Sequence, residues 1–164
     1  GNFTGSTSKS KYNTSYRYHQ KTENRAVNPP LIIKIKDTII GNLRSISLLI
    51  EPQRNINKIE LIANDSVTFK AIGVQDIMLD KETPESVLKV GKGTLLSYFY
   101  TTVDAHLKID FTVDASTTLN MSIIESSFDL LSNPLFTIKP RTNIMMPMPF
   151  VTNDAVITMQ QLKL

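Results

Sequence analysis

Strict alternation of apolar and polar residues over residues 106–114 constrains the fold of this chain more than any other feature. The apolar side chains fall on every second position, at Leu107, Ile109, Phe111 and Val113. The polar side chains occupy the positions around them, at His106, Lys108, Asp110, Thr112 and Asp114. Because successive side chains of a β-strand point to opposite faces, this pattern predicts a strand with one face in a core and the other in water.

Similar short segments recur along the chain and are separated by turn-forming residues. The predicted strands cover residues 31–36, 44–50, 58–63, 67–72, 77–79, 94–103, 107–113, 118–124 and 155–164. One short helix is expected over residues 81–90, because Thr83 and Pro84 resemble an N-cap followed by proline. Strands without helical crossovers indicate a sandwich or an open barrel. We predict an all-β fold: an antiparallel β-sandwich of about 8–10 short strands with at most one short helix.

Two details of this prediction concern the middle of the chain. Residues 58–63 and 67–72 are expected to form neighbouring strands, joined by a hairpin-like loop at residues 64–66. In the segment 94–103, the spacing of Leu95, Phe99 and Val103 predicts that these three side chains point into the core.

The N-terminal segment differs in composition from the rest of the chain. Residues 1–29 are polar and carry five basic residues against one acidic residue, whereas residues 30–164 carry 13 basic and 14 acidic residues. We therefore predict a polar, basic linker over residues 1–29, disordered or extended, followed by a β-sandwich domain over residues 30–164. Because the chain begins at Gly1 without a methionine, we expect it to be a fragment of a longer protein.

Composition also argues against several partners. Tyrosines and basic residues of the linker would suit stacking on nucleic acid, but the sandwich domain offers no basic face, so no nucleic-acid partner is expected. No apolar run approaches the roughly 20 residues of a membrane-spanning helix, so no direct membrane span is expected in this fragment. The absence of cysteine excludes disulfides and thiolate zinc sites.

Residues with catalytic or metal-binding chemistry are scattered rather than grouped. The two histidines are His19 in the linker and His106 on the polar face of a predicted strand, too few for a catalytic zinc centre. Asp110 and Asp114 share a strand face but lie roughly 13 Å apart at about 3.3 Å per residue, too far to chelate one ion. We therefore predict no catalytic residue, no metal site and no cofactor in this fragment.

A possible interaction surface is suggested by two apolar groups of residues. Its members are Met145, Met146, Met148, Phe150, Tyr98 and Tyr100. The methionines could serve as thioether ligands of cuprous copper, but a proline-stiffened apolar strip is the favoured interpretation. The two tyrosines share one strand face, where they would form either a binding platform or a part of the core.

The C-terminal third of the chain resembles one protein family. The similar segments are Glu-Ser-Ser-Phe-Asp-Leu-Leu at residues 125–131, Arg-Thr-Asn-Ile-Met-Met-Pro-Met-Pro-Phe at residues 141–150, and residues 153–164. Together they resemble the C-terminal extracytoplasmic β-domain of bacterial membrane-bound zinc peptidases of the M28 type, which are related to the endoplasmic reticulum metallopeptidases. The resemblance extends over about residues 30–164.

The resemblance implies that this fragment is not itself an enzyme, because the zinc ligands and catalytic residues would lie in a preceding peptidase domain. It implies a non-catalytic accessory domain for docking, substrate access or protein interaction, with the peptidase and membrane domains of the parent chain as partners. It also implies an extracytoplasmic location, periplasmic or on the outer face, with a tether to the membrane through the preceding part. The alternative hypothesis is a stand-alone bacterial cell-surface binding or adhesion module for a protein or carbohydrate ligand.

Overall fold

The computed structural model describes residues 4–5, 18–79, 88–101, 106–147 and 152–164. The chain divides into two compact units. The larger unit comprises Asn28–Ser127 and Val156–Leu164, and the smaller unit comprises Gly1–Val27 and Phe128–Ala155. The predicted division into a linker over residues 1–29 and a sandwich over residues 30–164 stays a prediction.

The described residues form thirteen β-strands and no helix, so the predicted all-β class is confirmed. In the smaller unit, β1 (Thr4–Gly5) pairs with β2 (Tyr18–His19). The strands of the larger unit are β3 (Leu31–Ile40), β4 (Leu43–Glu51), β5 (Lys58–Ala63), β6 (Val67–Phe69), β7 (Ala71–Val74), β8 (Ile77–Met78), β9 (Leu88–Val90), β10 (Gly93–Phe99), β11 (Leu107–Asp114), β12 (Asn120–Ser127) and β13 (Val156–Lys163).

Two main sheets make up the larger unit, and every strand pair in them is antiparallel. The five-stranded sheet has the order β3-β4-β11-β7-β8, and the four-stranded sheet has the order β10-β5-β12-β13. A separate pair is formed by β6 and β9. Strands β3 and β4 form a hairpin whose two-residue turn contains Gly41 at a positive φ of 61°. Glycine suits this position because side chains disfavour the left-handed region.

The inner faces of the two sheets share one hydrophobic core, as expected for a β-sandwich. The buried apolar side chains of the main strands occupy every second position. They include Ile46, Leu48 and Ile50 of β4, Ile59 and Leu61 of β5, Leu107, Ile109, Phe111 and Val113 of β11, and Met121 and Ile123 of β12. The rings of Phe69 and Phe111 lie 5.4 Å apart, centre to centre. The predicted alternation of β11 and the predicted antiparallel sandwich are therefore confirmed.

The predicted hairpin between residues 58–63 and 67–72 is wrong. Strand β5 pairs with β10 and β12, whereas β6 pairs with β9. The second segment is also broken at Lys70, whose backbone N–H donates to the Thr112 carbonyl at 2.7 Å. Strand β6 therefore pairs with β9, whereas β7 pairs with β11 and β8. The apolar pattern of residues 67–72 continues without a break, so it does not predict this change of partner.

The predicted helix over residues 81–90 lies mostly outside the described residues, as do Thr83 and Pro84. Its last three residues form the strand β9, and here the helical prediction is wrong. Pairing supplies the physical reason, because Val67 lies opposite Val90 and Phe69 lies opposite Leu88. Pairing of these three strand residues satisfies backbone N–H and C=O groups that an isolated helical turn would leave without hydrogen-bond partners.

The predicted burial of Phe99 is also wrong, since this side chain is 60% exposed. An irregularity in the register of β10 between Thr94 and Leu96 reverses the alternation, because one extra residue shifts all later side chains to the other face. Phe99 consequently lies on the outer face, where the Lys58 ammonium is 5.4 Å from its ring centre. Val103 lies outside the described residues.

Candidate functional site

The inner face of the four-stranded sheet changes from apolar to polar toward one end. Along β12, the inward positions are occupied by Met121, Ile123, Glu125 and Ser127 in turn, and all four are buried. The carboxylate of Glu125 is completely buried, with 0% of the residue exposed to solvent. On β13, Thr158 lies directly opposite Glu125 and donates a hydrogen bond of 3.3 Å to its Oε2 atom.

Arg54 lies in the connection between β4 and β5 and extends its guanidinium toward this polar end. One terminal nitrogen donates to the Ser127 hydroxyl, and the other donates to the Val156 carbonyl at 3.3 Å. Its Nε atom lies 3.9 Å from Glu125 Oε2, close enough for an ion pair but too long for a hydrogen bond. A single side chain therefore connects the end of β12 with the start of β13.

Tyr98 and Tyr100 lie beside this cluster. Tyr98 is opposite Ile59 on the inner face of β10, and its ring meets that of Tyr100 edge-on at 5.1 Å between centres. Both tyrosines pack against the core, with part of each side chain still exposed. In the structure, both rings lie against the hydrophobic core of the sandwich. Their proposed role in an interaction surface stays a prediction.

Burial dominates the electrostatics of the cluster. It raises the pKa of Glu125, and the attraction of Arg54 together with the Thr158 hydrogen bond only partly opposes this rise. Burial also raises the pKa of Tyr100, with smaller contributions from Tyr98 and from the charge of Glu125. Among the described residues, four buried side-chain atoms lack a hydrogen-bond partner: Arg54 Nε, Tyr100 Oη, Glu125 Oε1 and Gln160 Oε1. All four belong to residues of this end of the sandwich or of the adjoining strand β13.

A cavity of about 230 Å³ opens beside Arg54 and Tyr100. Its wall is formed by Pro52, Arg54, Asn55, Ile56, Asn57, Tyr100 and Thr101. Among the described residues of this wall, arginine supplies the only formal charge, since the others are amides, a hydroxyl, a phenol and two apolar groups. The arrangement can bind a small polar group through hydrogen bonds and charge.

The described residues that line this cavity do not include His106, Met145 or Met146. Met145 is 58% exposed and Met146 is 87% exposed, both in the smaller unit. Met148 and Phe150 lie outside the described residues, so their part in an interaction surface stays a prediction. His106 is exposed, as expected. Within the described ranges, no three histidine or acidic side chains are grouped closely enough to hold a metal ion.

Arg54 and Glu125 are not recognisable as a pair from the sequence. A signal for Glu125 exists, because it continues the inward positions of Met121 and Ile123 at a spacing of two residues. No comparable signal exists for Arg54, which lies in an irregular connection far away in the sequence. Only the packing of the β4–β5 connection against the ends of β12 and β13 brings the two side chains together.

A second ion pair lies within the smaller unit. Arg141 donates two hydrogen bonds to the carboxylate of Asp154, and this contact lowers the pKa of Asp154. The backbone N–H of Leu130 donates to the Asp154 carbonyl at 2.9 Å. Asp154 thereby links the start and the end of the segment between β12 and β13.

No protein-family profile, curated protein or solved structure matches this chain. No helix long and apolar enough to cross a membrane occurs in the part of the chain that the structure describes.

Proposed function

We propose that this chain is a non-catalytic accessory domain of a membrane-anchored M28-type metallopeptidase, and that it docks on the rest of its parent protein through the β3–β4 hairpin. The observation that carries the proposal is a group of exposed apolar side chains on this hairpin, which occupies both of its faces because the consecutive residues Ile39 and Ile40 point to opposite sides. Its members are Leu31, Ile33, Ile35, Ile39, Ile40 and Leu43, each between 37% and 75% exposed. We call these six residues the hairpin surface.

Such a surface favours a domain that is covered by another part of a protein. Scattered apolar side chains are normal on soluble proteins, but large groups of them mark interaction sites. Complete burial of a fully exposed Leu or Ile side chain contributes roughly 1.5–3 kcal/mol, so each of these six partly exposed side chains contributes a fraction of that amount to docking. An appended domain is expected to expose such a surface when its parent protein is taken away.

The hairpin surface also lies at the edge of a sheet. Strand β3 is the outermost strand of the five-stranded sheet, and none of the described strands pairs with its outer side. An irregularity between Lys34 and Lys36 interrupts the register, and Asp37 is bound by both Lys34 and Arg44. Bulges and charges on edge strands discourage open-ended strand pairing. Docking through the apolar side chains is therefore favoured over indiscriminate pairing of the backbone.

The resemblance to the peptidase family gives separate support. Glu125, Arg141 and Asp154 lie in the segments that carry the resemblance, and all three make contacts inside the chain. Such residues suit a motif that maintains the architecture of a domain. This agrees with an accessory role, in which the catalytic chemistry belongs to another part of the parent protein.

Fractionation of source cells tests whether the domain belongs to a larger membrane protein. An antibody against residues 30–164 is expected to detect a band several times heavier than 18.4 kDa in the membrane fraction, resistant to alkaline extraction. A soluble or secreted band near 18.4 kDa would overturn the proposal and would favour the stand-alone binding module.

Substitutions in the hairpin surface test the docking site itself. In the purified parent protein, Ile33→Thr combined with Ile35→Thr is expected to lower thermal stability and peptidase activity. Ile157→Thr combined with Met159→Thr provides the matched control, because these exposed side chains lie on β13 of the other sheet. Equal effects of the two double substitutions, or no effect of the first, would contradict docking through the hairpin surface.

A further inference from the structure

We propose that strand β13 pairs with the β13 strand of a second copy of this chain, so that two four-stranded sheets join edge to edge in a symmetric dimer. The contact lies at the edge of the four-stranded sheet and uses none of the residues of the hairpin surface. The proposal is therefore independent of the accessory role in a peptidase.

Four of the described strands lie at an edge of one of the two main sheets: β3, β8, β10 and β13. Three of them have features that discourage pairing with another molecule, namely bulges, charges or a short length. The register of β3 is interrupted between Lys34 and Lys36, both of which are charged. The register of β10 is interrupted between Thr94 and Leu96, and β8 is only two residues long.

Strand β13 has none of these three features. It pairs with β12 residue by residue from Val156 to Lys163, without a change of register. Its eight residues contain no proline, and Lys163 at the end is the only charged one. A long, regular edge strand with little charge is a template for another strand, so this edge favours a partner over open exposure to solvent.

Hydrogen bonds at the end of β13 show which of its backbone groups face the edge. Leu164 and Leu119 exchange both of their backbone hydrogen bonds, each of 2.9 Å, so Leu164 points toward the neighbouring strand. Because this direction alternates along an antiparallel strand, residues 156, 158, 160 and 162 also point toward β12. The N–H and C=O groups of residues 157, 159, 161 and 163 therefore point outward, and all four residues are exposed.

Two-fold symmetry gives a register that uses all four outward residues. With Gln160 facing its own copy, Met159 lies opposite Gln161 of the second copy, and Ile157 lies opposite Lys163. Each such pair exchanges two hydrogen bonds, which gives about eight for the dimer. Facing residues of antiparallel strands point to the same side, so the inner face of one sheet continues into the inner face of the other.

Charge and symmetry favour a second copy as the partner. In this register Lys163 meets Ile157 rather than another lysine, so the edge does not repel its own copy. Ile157 is 56% exposed, and the aliphatic part of the lysine side chain can cover it. A two-fold pairing also occupies both β13 edges at once, so the assembly closes as a dimer and does not extend into a fibre.

The experiment measures the mass of the purified chain in solution by sedimentation equilibrium over a wide range of protein concentrations. We expect the mean mass to rise from 18.4 kDa toward twice that value, without larger species. Amide hydrogen exchange at residues 157, 159, 161 and 163 is expected to slow as the dimer forms. The amides of β3, which is also an edge strand, serve as the internal control with unchanged exchange.

Met159→Pro tests the backbone pairing directly. Proline lacks the N–H group, and because the N–H of Met159 points outward, the pairing with β12 is kept. The variant is expected to stay folded by circular dichroism and to dimerise roughly thirtyfold more weakly, since two hydrogen bonds are lost per dimer. Ile157→Thr combined with Met159→Thr is the matched control. It keeps every backbone donor and a strong preference for strands, so it is expected to remain dimeric.

Charged variants test the register and do not depend on the folding of the proline variant. Met159→Lys combined with Gln161→Lys places like charges opposite each other and is expected to hold the mass at 18.4 kDa. Met159→Glu combined with Gln161→Glu is expected to do the same. An equimolar mixture of the two proteins is expected to restore the dimer, because each lysine then lies opposite a glutamate.

Three outcomes would overturn the proposal. The first is a mass of 18.4 kDa at every concentration, which would leave the β13 edge to a strand of a different protein. The second is a dimer that persists in a folded Met159→Pro variant or is lost in the threonine control, since either result would place the contact away from the backbone edge. The third is a mixture of oppositely charged variants that stays monomeric. None of these outcomes affects the docking through the hairpin surface, which has its own test.

Discussion

Removal of the Arg54 guanidinium is predicted to destabilise the larger unit strongly, and mainly through Glu125. Arg54→Met removes the hydrogen bonds to Ser127 and to the Val156 carbonyl, each contributing about 1 kcal/mol. It also leaves the fully buried Glu125 carboxylate without its cation. Breaking a buried pair in this way costs roughly 3–5 kcal/mol. Because the Arg54 side chain is 15% exposed to solvent, we expect Arg54→Met to lower the free energy of unfolding by about 3 kcal/mol, the lower end of this range.

A double-mutant cycle isolates the contribution of the charge. Glu125→Gln alone is expected to cost about 1 kcal/mol, because Arg54 keeps its other acceptors and reaches solvent. In the Glu125→Gln background, Arg54→Met is expected to cost only about 2 kcal/mol, since no buried charge is left behind. The difference between the two effects of Arg54→Met gives a coupling of about 1 kcal/mol.

Urea denaturation is the appropriate assay, with unfolding followed by tyrosine fluorescence and by far-ultraviolet circular dichroism, because the chain contains no tryptophan. Coincident transitions with the two probes would justify a two-state treatment. Additive effects of the two substitutions, within about 0.3 kcal/mol, would refute the assignment of Glu125 as a buried charge that depends on Arg54.

The pH dependence of the stability of Arg54→Met tests the same assignment of Glu125 as a buried charge. The folded-state pKa of Glu125 is raised, so its folded form favours the neutral acid. In Arg54→Met, the penalty for the buried charge is therefore fully present above the folded pKa and disappears as the pH falls below the unfolded pKa near 4. The variant is expected to recover part of its lost stability between pH 7 and pH 4, relative to the unsubstituted chain.

The remaining predictions concern the core, the smaller unit and one turn. Phe111→Ala is expected to cost about 3–5 kcal/mol in urea denaturation, because Phe111 is 1% exposed, whereas Phe99→Ala at an exposed site is expected to cost less than about 1 kcal/mol. The pKa of Asp154 is lowered by Arg141, so this ion pair stabilises the fold above the unfolded pKa and is lost as the pH falls through the folded pKa. NMR titration is expected to show the Asp154 pKa returning toward its ordinary value in Arg141→Gln. Gly41→Ala is expected to cost about 1 kcal/mol through backbone strain alone, since a Cβ atom there would touch nothing within 4 Å.

Local alternation predicted the parts of the fold in which a strand keeps one regular register. In β11, Ile109 and Phe111 are buried as the pattern indicates, because eight consecutive residues pair without a bulge. In β10, the register changes between Thr94 and Leu96, and the alternation expected for Phe99 is reversed. A bulge adds one residue without a clear compositional mark, so the sequence alone does not reveal it.

The polar cluster shows a different limit of sequence reasoning. The inward direction of Glu125 follows from the spacing along β12, but its partner Arg54 comes from a connection 71 residues earlier in the chain. A contact of this kind depends on which strands are neighbours in the sheet. No local sequence pattern predicts the order β10-β5-β12-β13, because this sheet joins segments from both halves of the chain.

That strand order has a consequence for how the protein is made. The central pairs join Ile50 to Leu107 and Ala63 to Met121, residues about 60 positions apart, so neither sheet can form its centre from neighbouring segments. Proteins dominated by such distant pairings fold in milliseconds to seconds, more slowly than those with local contacts. The four-stranded sheet also needs β13, which lies at the C-terminal end of this chain. During synthesis, the apolar faces of β4 and β5 must therefore wait for β11 and β12, which follow more than 50 residues later, and in that interval they are open to aggregation or to protection by a chaperone.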